Sequence, residues 1–217
     1  MKSWIGGLCN VVLIIYTLLS VSYALPPDNN TIAKFKEYIR DIQSIAVDFT
    51  QEDSHENKAS GKLLINKPFK FRCNYYAPFP LIIIGNKNYV SVYDYDMQHV
   101  SRIKTEENIF NFLLEDSIDF DKYFQFESVI DEEHLLKITI YNTLSERRSQ
   151  ISFNKDTKQI KMLKIYEDDN VITITFDHIL KVKKFDDDLF KLSNPDIFGP
   201  PSRLNKTDIE KKYELAS

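Results

Sequence analysis

Cysteine is almost missing from this chain. Cys9 and Cys73 are the only two among 217 residues, too few and too far apart for a zinc site built on paired thiolates. Histidine is also sparse. His55, His99, His134 and His178 stand singly, without ligand spacing. There is no Gly-x-Ser-x-Gly turn, no phosphate loop and no Ser–His pair suited to a hydrolase. Asp186-Asp187-Asp188 lacks the spaced oxygen ligands of a calcium loop and reads as a solvated turn. No catalytic residue, metal or cofactor is expected. Only 5 Gly and 8 Pro occur, which excludes collagen-like and low-complexity chains. Positive charge is not in surplus: Lys and Arg number 28 against 32 Asp and Glu, a net −4. That argues against a nucleic-acid partner.

What the chain does have is apolar and aromatic. Hydrophobic residues make up 43% and aromatics 13%, enough for a core and against disorder. One apolar run, Val11 to Val21, follows Lys2 and precedes Ser22-Tyr23-Ala24. This is the pattern of an export signal with a small-x-small cleavage site. The run is short for a span of about 20 residues, so cleavage after Ala24 is expected rather than a retained anchor. Residues 1–24 would then be signal peptide and 25–217 one domain, ending in a loose polar tail from about residue 200. The mature chain would be soluble and exported. It would hold only Cys73, and no internal disulfide could form.

Ile32, Phe35, Ile39, Ile42 and Ala46 recur at helical spacing and predict an amphipathic helix capped near Asn30 or Thr31. The organising stretch is Gly61 to Tyr75. After Pro68, Phe69, Phe71, Cys73 and Tyr75 alternate with Lys70, Arg72 and Asn74, the period of a half-buried strand. Leu81-Ile82-Ile83-Ile84 is apolar on both faces, as in a strand covered on both sides. Further strands are expected at 47–51, 62–66, 89–93, 99–103, 124–130, 135–141, 150–153, 160–166 and 171–176, then a last turn and strand over 185–192. A short, very apolar helix over 106–115 interrupts them. The result is a mainly β protein, one antiparallel sheet of roughly ten strands, which must curl or split. Phe69, Phe71, Tyr75, Ile82, Ile84, Phe110, Leu113 and Leu114 are either ordinary core or the lining of a coverable hollow; the pattern alone leaves both open.

Several of these segments resemble a known family. Val47-Asp48-Phe49-Thr50-Gln51, Gly61-Lys62-Leu63-Leu64-Ile65, Lys67-Pro68-Phe69-Lys70-Phe71-Arg72 and Gly85-Asn86-Lys87 with Tyr93-Asp94 are similar to the outer-membrane lipoprotein carrier proteins, LolA. The order of elements resembles that family over nearly the whole mature chain. The resemblance implies an unclosed β-barrel with α-helices as a lid over the hollow. It implies a monomeric periplasmic chaperone and no enzyme. Its partners would be acylated lipoproteins, the inner-membrane ABC transporter that releases them and the outer-membrane receptor that takes them. Acyl chains would lie against Phe69, Phe71, Cys73, Tyr75, Ile82, Ile84, Phe110, Leu113 and Leu114. Lys67 and Arg72 would gate the lid. Two positions depart from the family pattern. Lys67 stands where Arg is usual and lacks its planar fork. Cys73 stands where Trp is usual, which would widen the hollow. The alternative is a half-barrel that binds another lipid, or senses envelope stress, without delivering cargo.

Overall fold

The computed structural model describes residues 28–79, 81–105, 113–115 and 119–216. Cys9, the expected signal segment and its cleavage site, Phe110 and most of the expected 106–115 helix lie outside the described residues.

Helix α1 (Asn29–Asp41) begins one residue before the expected caps. Asp28 is the N-cap, and its carboxylate accepts from the Thr31 amide at 2.8 Å, meeting one of the unpaired donors of a first turn. The apolar stripe of α1 buries Phe35, Tyr38 and Ile39. The strands follow as β1 (Ser44–Glu52), β2 (Lys58–Asn66), β3 (Lys70–Tyr75), β4 (Leu81–Gly85), β5 (Tyr89–Asp94) and β6 (His99–Lys104). After the short α2 (Phe120–Tyr123) come β7 (Phe124–Asp131), β8 (Leu135–Asn142), β9 (Arg147–Asn154), β10 (Gln159–Glu167) and β11 (Asn170–Phe185). The C-terminal part holds a 3-10 turn (Asp187–Phe190), α3 (Pro195–Phe198), α4 (Lys206–Glu210) and β12 (Tyr213–Leu215).

The strands form one antiparallel sheet in the order β6-β5-β4-β3-β2-β1-β11-β10-β9-β8-β7, with β12 added to β11. Among the described residues β6 and β7 do not pair, so the barrel is not closed. Register shifts in β1, β7 and β10 are bulges, which bend strands and raise their twist. They let a sheet of this length curl around a core. β6 and β7 are the two edges of the sheet, and Leu113 and Leu114, which lie between them in sequence, are in the core.

Inside, α1 lies against the β7–β10 half. Phe35 makes edge-on contacts with Phe120, Phe126 and Phe153 at 5.5–5.8 Å, each worth about 0.5–1.5 kcal/mol beyond burial. Outside, a second core joins Ala46 and Leu64 to Val182, Phe185, Leu189, Phe190 and Ile209. The chain after β11 therefore straps the outer face of β1–β3. This corrects the loose tail expected from about residue 200. Asn205 and Asp208 form a reciprocal capping box at α4, Ile209 is fully buried, and β12 pairs with β11. The strand expected near the end of 185–192 is instead the 3-10 turn. Its Leu189 and Phe190 point into the outer core.

Candidate functional site

The inner face of β1–β4 carries an apolar cavity. Its walls are Phe49 of β1, Leu63 and Ile65 of β2, Phe71, Cys73 and Tyr75 of β3, Ile83 of β4, and Ile174 and Phe176 of β11, with Leu113 and Leu114 above. Cross-strand register assembles this surface. Ile65 stands opposite Phe71, Leu63 opposite Cys73, and Cys73 opposite Ile83. Gly85 stands opposite Phe71, and a Cβ there would come within 1.8 Å of the phenyl ring. The missing side chain is what lets Phe71 lie flat across β4.

The cavity holds no charge. Burial pushes the Cys73 thiol and the Tyr75 hydroxyl well above their ordinary pKa values, and Tyr75 donates to Gln51 Oε1 at 2.8 Å. The free space is about 60 Å³, far below the roughly 300–1,000 Å³ of a small-molecule site. The hollow is shut.

One turn bonds to elements on two sides of it. Lys67 Nζ donates to the Ile39 carbonyl of α1 at 2.9 Å, a last-turn carbonyl that also accepts from the C-cap amide of Ile42 at 3.3 Å. Two residues on, the Phe69 amide donates to the Leu114 carbonyl at 2.7 Å. The β2–β3 turn thus bonds to both α1 and the Leu113–Leu114 segment.

Four of the expected site residues lie elsewhere. Phe69 has φ +66°, which takes it out of the strand before β3 begins. Its side chain borders a separate surface cleft beside Tyr89 and Tyr123, not the hollow. Ile82 and Ile84 stand opposite Asn74 and Arg72, so pleating turns them to the outer face. There they pack with Tyr93, Tyr95 and Leu192. Arg72 is also on the outer face, where Nη1 donates to the Leu189 carbonyl at 2.9 Å and Nε to Asn74. It binds the strap and not the lid. Phe71, Cys73, Tyr75, Leu113 and Leu114 do line the hollow. Sequence reading missed Phe49, Leu63, Ile65, Ile83, Ile174 and Phe176. Alternation within each strand was visible for them, but the register joining one strand to the next was not.

A model of the family described as "Outer membrane lipoprotein carrier protein LolA" matches residues 40–193. The chain belongs to the LolA family. An uncharacterized protein of Rickettsia prowazekii (strain Madrid E), RP864, is 59% identical over 207 residues, 95% of this chain and 97% of that one. The outer-membrane lipoprotein carrier protein of Chromobacterium violaceum is 30% identical over 87 residues, 39% of this chain and 42% of its own length. Among solved structures, the LolA superfamily protein NE2245 from Nitrosomonas europaea is similar at a TM-score of 0.46 and 9% identity, over 75% of this chain and 96% of that one. The LolA match takes in the sheet from β1 to β11 and the 3-10 turn. Helices α3 and α4 and strand β12 lie beyond it. Among the described residues, no cluster of three or more His, Cys, Asp or Glu could hold a metal, and no helix is long and apolar enough to cross a membrane.

Proposed function

We propose that this LolA-family protein is a periplasmic chaperone that buries the acyl chains of lipoproteins in the hollow of its half-barrel. It takes them from an inner-membrane ABC transporter and passes them to an outer-membrane receptor. The observation that carries the reading is the uncharged cavity of about 60 Å³ beneath two elements tied to a single turn.

An ordinary core has no need of a seam. Here the seam runs between the Leu113–Leu114 segment and the inner face of β2–β4, with α1 tied to the same turn. Opening it exposes apolar side chains without unpairing any strand. Each buried methylene is worth about 0.8 kcal/mol, so fully enclosed acyl chains would be held too tightly to hand on. The closed state offsets this. A ligand must displace Leu113–Leu114 before it binds, and its apparent affinity falls by the fraction of molecules that are open. Closure after release expels the cargo and restores the apolar contacts. No covalent step is required, and the protein acts by binding.

Ile83 supplies the test. It lines the hollow but is only half-buried, so Ile83→Glu places a carboxylate where hydrocarbon must lie while water can still reach it. The expected result is a melting temperature within a few degrees of wild type and at least tenfold weaker binding of a triacyl lipopeptide. Unchanged lipopeptide binding would sink the carrier reading. N-terminal sequencing of the exported protein should begin at Leu25 if cleavage follows Ala24.

A further inference from the structure

Arg72 is the least explained charge in the molecule. Its side chain is 5% exposed. Its acceptors are neutral, the Leu189 carbonyl and the Asn74 side chain, and among the described residues no carboxylate lies within ion-pair distance of it. Burial lowers its pKa to about 10, so it remains cationic at neutral pH. A guanidinium buried without a counter-ion is costly. The buried Lys62, on the same face, shows the usual remedy, with Asp48 at 2.8 Å and Glu210 at 3.4 Å.

Arg72 forms the floor of a cleft of about 330 Å³ between the sheet and the C-terminal strap. Lys191 and Lys212 stand on its walls against a single carboxylate, Asp188. Asp188 pairs with Lys191 at 2.8 Å, and Asp186, outside the cleft, pairs with Lys212 at 3.1 Å. Among the described residues only Nε and Nη1 of Arg72 meet acceptors, which leaves N–H groups in the fork geometry that suits a phosphate or carboxylate. Phe198 stands on the rim. Ile197 and Phe198 are 71% and 74% exposed, two neighbouring large apolar side chains on α3 that no described residue covers.

We infer that this cleft takes the phosphate of an anionic phospholipid headgroup, with Ile197 and Phe198 entering the hydrocarbon beside it, so that the outer face of the sheet docks on a membrane surface. Neither half of the site suffices alone. A free anion would leave the apolar pair in water, and a zwitterionic bilayer would offer Arg72 only phosphates already compensated by their own choline ammonium groups. An apolar tip beside a cationic seat matches the layered chemistry of a lipid interface. This surface is on the opposite face from the acyl-chain hollow, and it stands or falls separately from the carrier reading.

The test is co-sedimentation of the mature protein with phosphatidylcholine vesicles, with and without phosphatidylglycerol. Binding is expected to the mixed vesicles only. Phe198→Ser and Lys191→Glu, both at exposed positions, should each weaken it at least tenfold without lowering the melting temperature. Ile83→Glu should leave it unchanged, and Phe198→Ser should leave lipopeptide binding unchanged. Equal sedimentation with both vesicle types would overturn the proposal, as would indifference to Phe198→Ser. Stabilisation by inorganic phosphate without vesicle binding would mean that the cleft takes a free anion. Binding of a hexaglutamate peptide without vesicle binding would mean an acidic protein partner. Either outcome overturns the membrane assignment.

Discussion

Lys67 reaches the Ile39 carbonyl with a single point donor, where an Arg could have met two carbonyls at once. A charged hydrogen bond of this kind contributes about 1.5–3 kcal/mol, and here it bears on the seam rather than on the sheet. Lys67→Leu is expected to leave the strands intact and to populate the open hollow. A stopped-flow measurement should find uptake of a fluorescent acyl chain accelerated several-fold, with Lys67→Arg close to wild type. Equal uptake in all three proteins would remove Lys67 from the lid. Gly85 makes the complementary case from within the hollow. Gly85→Ala forces a methyl group into the Phe71 ring, and overpacking of this kind costs about 1–3 kcal/mol. Denaturant melts should show the loss, and Gly85→Ala combined with Phe71→Leu should recover part of it.

Among the elements, the C-terminal strap is the one that polarity disguised. Its apolar residues Leu204, Ile209 and Tyr213 are scattered among charges, yet each joins the outer core. Ile209→Ala deletes a fully buried side chain and is expected to cost about 2–5 kcal/mol, read as a lower denaturation midpoint. A loose tail would show no change. Strand β11 explains why the strap matters. Over its 16 residues it pairs in turn with β10, β1 and β12, so the strap is continuous with the strand that joins the two halves of the sheet.

For the whole molecule, pH acts through ion pairs that clasp the strap to the sheet. Burial alone would raise the Asp48 carboxyl, but Lys62 and Lys206 outweigh it and hold it below its ordinary 3.8. Burial alone would lower Lys62, but Asp48 outweighs it and raises it above 10.5. A depressed carboxyl contributes stability that is present above its unfolded pKa and is lost as pH falls through the folded value. A raised ammonium contributes stability that is present below its unfolded pKa and is lost as pH rises through the folded one. Melting temperature should therefore be flat from about pH 5 to about pH 9 and fall below pH 4. Asp48→Asn should melt lower at neutral pH and show a shallower acid limb. An acid limb identical to wild type would mean that other carboxylates set it.

The elements themselves were legible because period two and period 3.6 are written into neighbouring residues. The Phe71, Cys73 and Tyr75 alternation found β3, and Phe35 and Ile39 found α1. The LolA resemblance of the Gly61–Arg72 stretch found the half-barrel. The partition of residues between the two faces was not legible. Leu81-Ile82-Ile83-Ile84 is apolar throughout, so its pattern could not say that Ile83 faces the hollow while Ile82 and Ile84 face outward; the pairing of Cys73 with Ile83 decided that. Phe69 kept the alternation in sequence, but a left-handed backbone angle removed it from the strand. Arg72 was expected at the lid, but the strap, more than a hundred residues later, closes over it on the outer face. Local periodicity is a property of the chain, and the sequence by itself determined the strands, the helix and the family. Which side chains meet across the sheet, and what covers each face, depend on contacts between distant residues, and only the tertiary structure decided those.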